Sequence, residues 1–304
     1  MPFEKVLFQA SDNLFGLYPE DCEFEDAKVV VMPVPYDSTT SYRAGTRGGP
    51  RAILEASRQI ELYDLELKCE PVLEGIHVLP PLEPDMRGPQ YTLANIEKAT
   101  DEILKAGKMP LMLGGEHSIT AGVIKSFKNN FKGEFSVLQL DAHSDLRDSY
   151  EGSPFNHACV MRRVVEMVPA VQIGIRNTSA EEADFIEEKG LNNIIYASEM
   201  LDDSWQDRAL SALGENVYLT IDLDAFDPSI MPAVGTPEPG GMLWYPTLDF
   251  LKRLVFEKNI IGFDVVELAP IPGDISSDFM AAKLIFKILA YWFTKQNQSK
   301  CTAA

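Results

Sequence analysis

Seven short apolar runs recur along the chain: AKVVVMPVP, MPLMLGG, FSVLQLDAH, AVQIGIR, NIIYASE, NVYLTIDLD and IIGFDVVELAP. Between several of them lie segments of helical period, such as TLANIEKATDEILKAG, SAEEADFIEEKG and PTLDFLKRLVFEKN, and SSDFMAAKLIFKILAYWFTKQ follows the last. Apolar runs this short, rich in β-branched residues, read as strands buried on both faces. Strands of that kind alternating with helices predict a parallel sheet covered by helices on either side. No linker, repeat or low-complexity tract interrupts the pattern, so residues 1–304 are expected to form a single α/β domain. Residues 1–26 precede the first run, and an N-terminal extension packing on the domain or on a neighbouring subunit is expected there.

In an open parallel sheet, functional groups collect beyond the carboxyl ends of the strands. The polar residues of this chain stand at those ends. PLMLGG leads into Glu116 and His117, FSVLQL into Asp141, His143 and Asp145, VYLTI into Asp222 and Asp224, and GFDVV into Glu267. An ionised carboxylate in a protein interior costs several kcal/mol unless something pairs with it. In extended backbone, residues two apart face the same side, which would turn Asp141, His143 and Asp145 toward one cavity. Gly114 and Gly115 would let backbone approach closely beside His117, and Ser118 is expected to cap a helix.

Any one of these motifs could be a hydrogen-bonded loop. Together, at one edge of one sheet, they read as a site. Two imidazoles and four carboxylates without a thiolate suit Mn²⁺ or a similar divalent ion and not structural zinc. Four negative charges balance two dications, so two ions are the natural count. The balance of 27 basic to 46 acidic residues, a net charge of −19, disfavours nucleic acid or an anionic membrane as partner. It is compatible with a cationic substrate or a metal ion, and equally with solubility alone. Cys22, Cys69, Cys159 and Cys301 form no CxxC pair, no signal-like N-terminal segment is present, and the late apolar segment is broken by Lys283 and Lys287. A cytoplasmic protein is expected.

GGEHS, DAHSD and TIDLDAFDP, in this order, resemble the ureohydrolase family of arginase and agmatinase, with YRAGTRGGPRAI, GTPEPGG and DVVELAP adding to the match. The resemblance is strongest toward the agmatinase branch. It implies a three-layer α/β/α fold around an eight-stranded, mostly parallel sheet, two Mn²⁺ per subunit, and a homo-oligomer, trimer or hexamer. It implies one ion held by His117, Asp141, Asp145 and Asp222, and a second held by His143, Asp141, Asp222 and Asp224. Asp227 is not a ligand in that family and is expected to hydrogen-bond backbone. By the same resemblance Glu267 orients a guanidinium group, Asp145 carries a proton to the leaving amine, and His157 shuttles protons or steadies the intermediate.

The implied reaction is hydrolysis of a small cationic guanidino substrate to urea and an amine, with agmatine as the main expectation. Arg147 stands where the arginase branch has an asparagine that helps to bind the substrate carboxylate, which disfavours arginine. Asp148 and Glu151 could meet a free amine, whereas Arg147 could hold the carboxylate of guanidinobutyrate. After His157 many agmatinases continue with Gly-Thr, but this chain reads Ala158-Cys159, which leaves room for N1-aminopropylagmatine. A two-metal phosphoesterase and a catalytically silent oligomer partner are the readings from other classes.

Overall fold

The computed structural model describes residues 13–72 and 75–301. Eight strands form one sheet: β1 (Val29–Pro33), β2 (Ile76–Val78), β3 (Met109–Leu113), β4 (Ser136–Leu140), β5 (Ala170–Ile175), β6 (Ile194–Tyr196), β7 (Asn216–Asp222) and β8 (Asn259–Val266). Their order is β2-β1-β3-β8-β7-β4-β5-β6, and every pair is parallel. Each of the seven apolar runs contains a strand. The eighth, Ile-His-Val at β2, is too short and too mixed to stand out in sequence.

The strand residues β1, β3 and β4 are buried throughout because both faces are covered. Val31, Leu113, Leu140, Leu219 and Val265 point into one core, shared with α1 (Gly49–Ser57), α6 (Ser204–Ala212), α7 (Trp244–Glu257) and α8 (Ser276–Cys301). Met32, Met112, Val137, Tyr218 and Val266 alternate with them into the opposite core. That second core is closed by α2 (Pro89–Lys105), α3 (Thr120–Asn130), α4 (Val160–Val165) and α5 (Ala180–Lys189). The result is the expected three-layer α/β/α architecture. Phe127 of α3 is fully buried among Phe131, Phe135 and Tyr218, and truncating it to alanine would cost about 3–5 kcal/mol.

Of the expected N-terminal extension, residues 1–12 lie outside the described residues. Leu14, Phe15 and Leu17 are buried in the first core, where Phe15 meets Phe286 of α8 edge-on at 5.6 Å. Among the described residues, no helix is long and apolar enough to cross a membrane.

Topology decides where the site forms. From β3 the chain crosses to β4, three places along the sheet, and β8 and β7 later fill the gap. The four adjacent strands β3, β8, β7 and β4 end level, with Leu113 opposite Val265, Val265 opposite Ile221, and Ile221 opposite Leu140. The polar residues that follow these ends therefore meet over the middle of the sheet.

Candidate active site

His117 begins a 3-10 turn, His117–Ile119, between β3 and α3. The expected cap differs here: Ser118 lies inside that turn and its hydroxyl donates to Glu116 at 3.0 Å. Gly114 and Gly115 are glycine for steric reasons. A Cβ on Gly114 would lie 2.5 Å from Val266 Cγ1, and one on Gly115 would lie 1.8 Å from the Tyr36 carbonyl oxygen.

The fully buried Nδ1 of His117 faces three carboxylate oxygens, at 3.0 Å from Asp141, 3.2 Å from Asp222 and 3.4 Å from Asp145, yet forms no hydrogen bond. On the other side of the ring, Nε2 lies 2.8 Å from the hydroxyl of Thr220. Thr220 gives its own proton to Asp264 at 2.6 Å, so Nε2–H is the donor and Nδ1 the bare nitrogen in the neutral ring. His143 stands alongside, its Nδ1 2.8 Å from Asp224 and 3.6 Å from Asp141. Two clusters with metal-ligand spacing result, His117-Asp141-Asp145 and Asp141-His143-Asp224, with Asp141 in both.

The alternation expected for DAHSD holds only in part. The chain leaves the strand at Leu140, and Asp145 adopts a left-handed φ of 52° that turns its side chain back to His117. Glu267 is also left-handed, at φ 66°, and its Oε1 accepts the His117 backbone N–H at 2.8 Å. Such conformations cost about 1–3 kcal/mol each and persist where surrounding contacts over-determine them. Asp227 points away from the clusters, its carboxylate accepting the N–H groups of Ser229, Gly240 and Gly241 at 2.9–3.1 Å.

The electrostatics demand positive charge. Burial alone would lower the pKa of His117, but its contacts with Asp141, Asp145 and Asp222 hold it well above the ordinary imidazole value. Burial likewise opposes protonation of His143, yet the charge of Asp224 and contacts with Asp141 push it up to about 12. Burial and then the charge of Asp141 raise Asp145 to about 7; burial and the charge of Asp224 raise Asp222 well above the carboxylate range. Divalent cations fit the same positions: six oxygen and nitrogen donors with no thiolate, one of them an orphaned buried nitrogen aimed at three carboxylates.

The cleft above the clusters is lined by His117, His143, Asp145, His157, Asp222, Asp224 and Glu267, with Tyr42, Arg43, Arg147, Tyr150 and Glu182 around them. His157 sits at the start of a 3-10 turn leading into α4. Burial lowers its pKa to about 4, and the nearby charges of His143 and His117 act in the same direction, against the hydrogen bond its ring gives to the Thr39 carbonyl. Arg147 reaches the wall, its guanidinium stacked 4.8 Å from the Tyr150 ring and 3.9 Å from Glu182.

Asp148 and Glu151 do not join the cleft. Asp148 is largely exposed and bound to Arg163 at 2.6 Å, and Glu151 is exposed in a tight turn between Tyr150 and Ser153. Among the described cleft residues, Glu182 is the one acid outside the metal clusters and Glu267. Cys159 is buried and its thiol is pushed up to about 11 by that burial, which leaves it inert. Sequence reasoning passed over Thr220, Asp264 and Thr39, since single hydroxyls and a mid-strand aspartate carry no spacing signal.

A model of the arginase family matches residues 27–290. The chain is 45% identical over 283 residues to the N(1)-aminopropylagmatine ureohydrolase of Synechocystis sp., covering 90% of this chain and 92% of that protein. It is 35% identical over 274 residues to the agmatinase of Pyrococcus horikoshii, covering 88% and 93%. Of solved structures, the agmatine ureohydrolase of Thermoplasma volcanium superposes with a TM-score of 0.81 at 31% identity, covering 91% of this chain and 93% of that one. With its eight-stranded sheet and its strand-end acids and imidazoles, the chain belongs to the arginase family, on the agmatinase branch, and is a hydrolase of guanidino C–N bonds.

Proposed function

We propose that this enzyme releases urea from N1-aminopropylagmatine, leaving the free polyamine. The observation that carries the hydrolytic reading is the convergence of His117, Asp141, Asp145, His143 and Asp224 into two clusters sharing Asp141, with Asp222 3.2 Å from His117. The extended substrate is favoured over others by the 45% identity to an N(1)-aminopropylagmatine ureohydrolase. Agmatine itself is the second reading, supported by the 35% identity to an agmatinase.

His117, Asp141, Asp145 and Asp222 would hold one Mn²⁺, and His143, Asp141, Asp222 and Asp224 the other. Bound there, the ions would supply a water acidified enough to attack the guanidinium carbon near neutral pH. Glu267 orients the substrate. Its Oε1 is fixed by the His117 N–H, and a Cβ on Gly235 would come 3.8 Å from Oε2, so glycine leaves space beside that oxygen for a planar guanidinium. Asp145 passes a proton to the leaving amine, and His157, facing the cleft through Nε2, exchanges protons there.

At the far end of the cleft stands Glu182, a buried acid whose oxygens already accept from Ser144, Leu146 and Ser179, and its negative charge would act on a substrate ammonium group through space. Arg147, stacked on Tyr150 and 3.9 Å from Glu182, has its charge partly offset there. We place the enzyme in the cytoplasm, in polyamine synthesis, as a homo-oligomer (trimer or hexamer).

The test is urea release by Mn²⁺-loaded protein from N1-aminopropylagmatine, agmatine, guanidinobutyrate and arginine in parallel. Highest kcat/KM for the aminopropyl substrate supports the proposal. A preference for arginine or guanidinobutyrate would overturn it and make Arg147 the specificity residue.

A further inference from the structure

Glu116 is fully buried beside His117 and takes no part in the carboxylate clusters. Its partners lie elsewhere. The segment after β1 runs along the turn after β3, with Gly115 N–H donating to Val34 at 2.9 Å and Glu116 N–H to Tyr36 at 2.8 Å. Only glycine at 115 permits that approach. Three residues on, the Thr39 hydroxyl donates to Glu116 Oε2, while Ser118 holds Oε1 at 3.0 Å.

Thr39 in turn grips His157 at two points. Its hydroxyl oxygen accepts the His157 backbone N–H at 3.0 Å, and its carbonyl oxygen accepts from the ring Nδ1 at 2.7 Å. Asn156 adds a third contact, donating from Nδ2 to the same carbonyl at 3.3 Å. The carbonyl has no proton to give, so Nδ1 must carry one, and the lone pair of the neutral ring sits on Nε2. That nitrogen lies 3.4 Å from Ser41 Oγ, on the wall of the cleft.

The geometry points to Thr39 as a positioning residue for the reaction: anchored by Glu116, it fixes both the orientation and the tautomer of His157. This rests on the proton-handling role proposed for His157. A buried carboxylate is a costly way to hold a loop unless the loop must be held accurately, and one hydroxyl between Glu116 and the His157 backbone gives that accuracy.

The experiment is a double-mutant cycle on Mn²⁺-loaded enzyme with Thr39→Val, Thr39→Ser and His157→Ala, reading kcat and KM separately. Thr39→Val is expected to lower kcat by about tenfold or more with little change in KM, because a misdirected acid–base group loses part of its 10²–10⁴-fold contribution. Thr39→Ser should restore kcat, and Thr39→Val should add no further loss to His157→Ala. Metal content and Tm of each variant separate this from unfolding, and Thr39→Ala replaces the valine variant if that one is destabilised. The proposal is overturned by losses that multiply across the cycle, by a serine variant as poor as valine, or by unchanged kcat in Thr39→Val. If His157→Ala alone keeps wild-type kcat, the role proposed for His157 falls, and Thr39 with it.

Discussion

His117 Nε2 and the hydroxyl of Thr220 stand 2.8 Å apart, and that contact determines which nitrogen of the ring faces the carboxylates. Thr220 is itself fixed by Asp264, a buried carboxylate that also accepts from Tyr218 at 2.7 Å and Thr120 at 3.0 Å. Behind His117 therefore stands a network of three hydroxyls on one acid.

Such outer partners typically carry 10–100-fold in metal affinity. Thr220→Val is thus expected to weaken Mn²⁺ binding by about 10–100-fold, and Thr220→Ser to preserve it. Calorimetric titration of chelator-treated protein reads both.

Asp141 belongs to both clusters, whereas Asp224 belongs only to the one with His143. Asp224→Ala should bind one Mn²⁺ per chain and release no urea, while Asp141→Ala should bind neither ion tightly. Metal analysis after gel filtration distinguishes them; equal occupancy in the two variants would contradict the sharing.

Away from the site, Lys287 of α8 is buried and paired with buried Asp64 at 2.7 Å and with Glu66 at 2.9 Å. Removing one partner of a buried pair leaves an uncompensated charge. Lys287→Ala should lower stability by about 3–5 kcal/mol in denaturant titrations, and exchanging both Lys287 and Asp64 for apolar residues should cost less.

Glu66 makes the same contact pH-dependent. Partial burial pushes its carboxyl up, but hydrogen bonds from Lys252, Lys287 and Tyr291 outweigh that and hold it at about 2 in the folded protein. Since the folded value lies below the unfolded one, the stabilisation is present above the usual carboxylate range and is lost as pH falls toward 2. Glu66→Gln should therefore flatten the acid side of the Tm-against-pH curve between about pH 4.5 and 2.

Much of this was legible in the chain. Uninterrupted apolar runs identify buried parallel strands, and strand ends in a parallel sheet are where polar groups gather, so His117, Asp141, His143, Asp222 and Asp224 could be named from spacing. The left-handed turn at Asp145 could not, since nothing in Ser-Asp-Leu requires a positive φ; the fold imposes it. Asp148 and Glu151 misled because acidity near a motif says nothing about direction, and Arg163 draws Asp148 outward. Thr39 lies 118 residues from His157 and reaches it because the segment before it docks on Gly115 and Glu116, a relation no local pattern reveals.

The central claim is that the strand-end acids exist to hold two divalent ions that serve guanidine hydrolysis. Adding Mn²⁺ stepwise to chelator-stripped protein, while following bound metal and urea release from N1-aminopropylagmatine together, tests it most directly. Two ions per chain, with urea release recovering as the second binds, is the predicted result. Urea release undiminished in metal-free protein, or no Mn²⁺ bound at all, would contradict it.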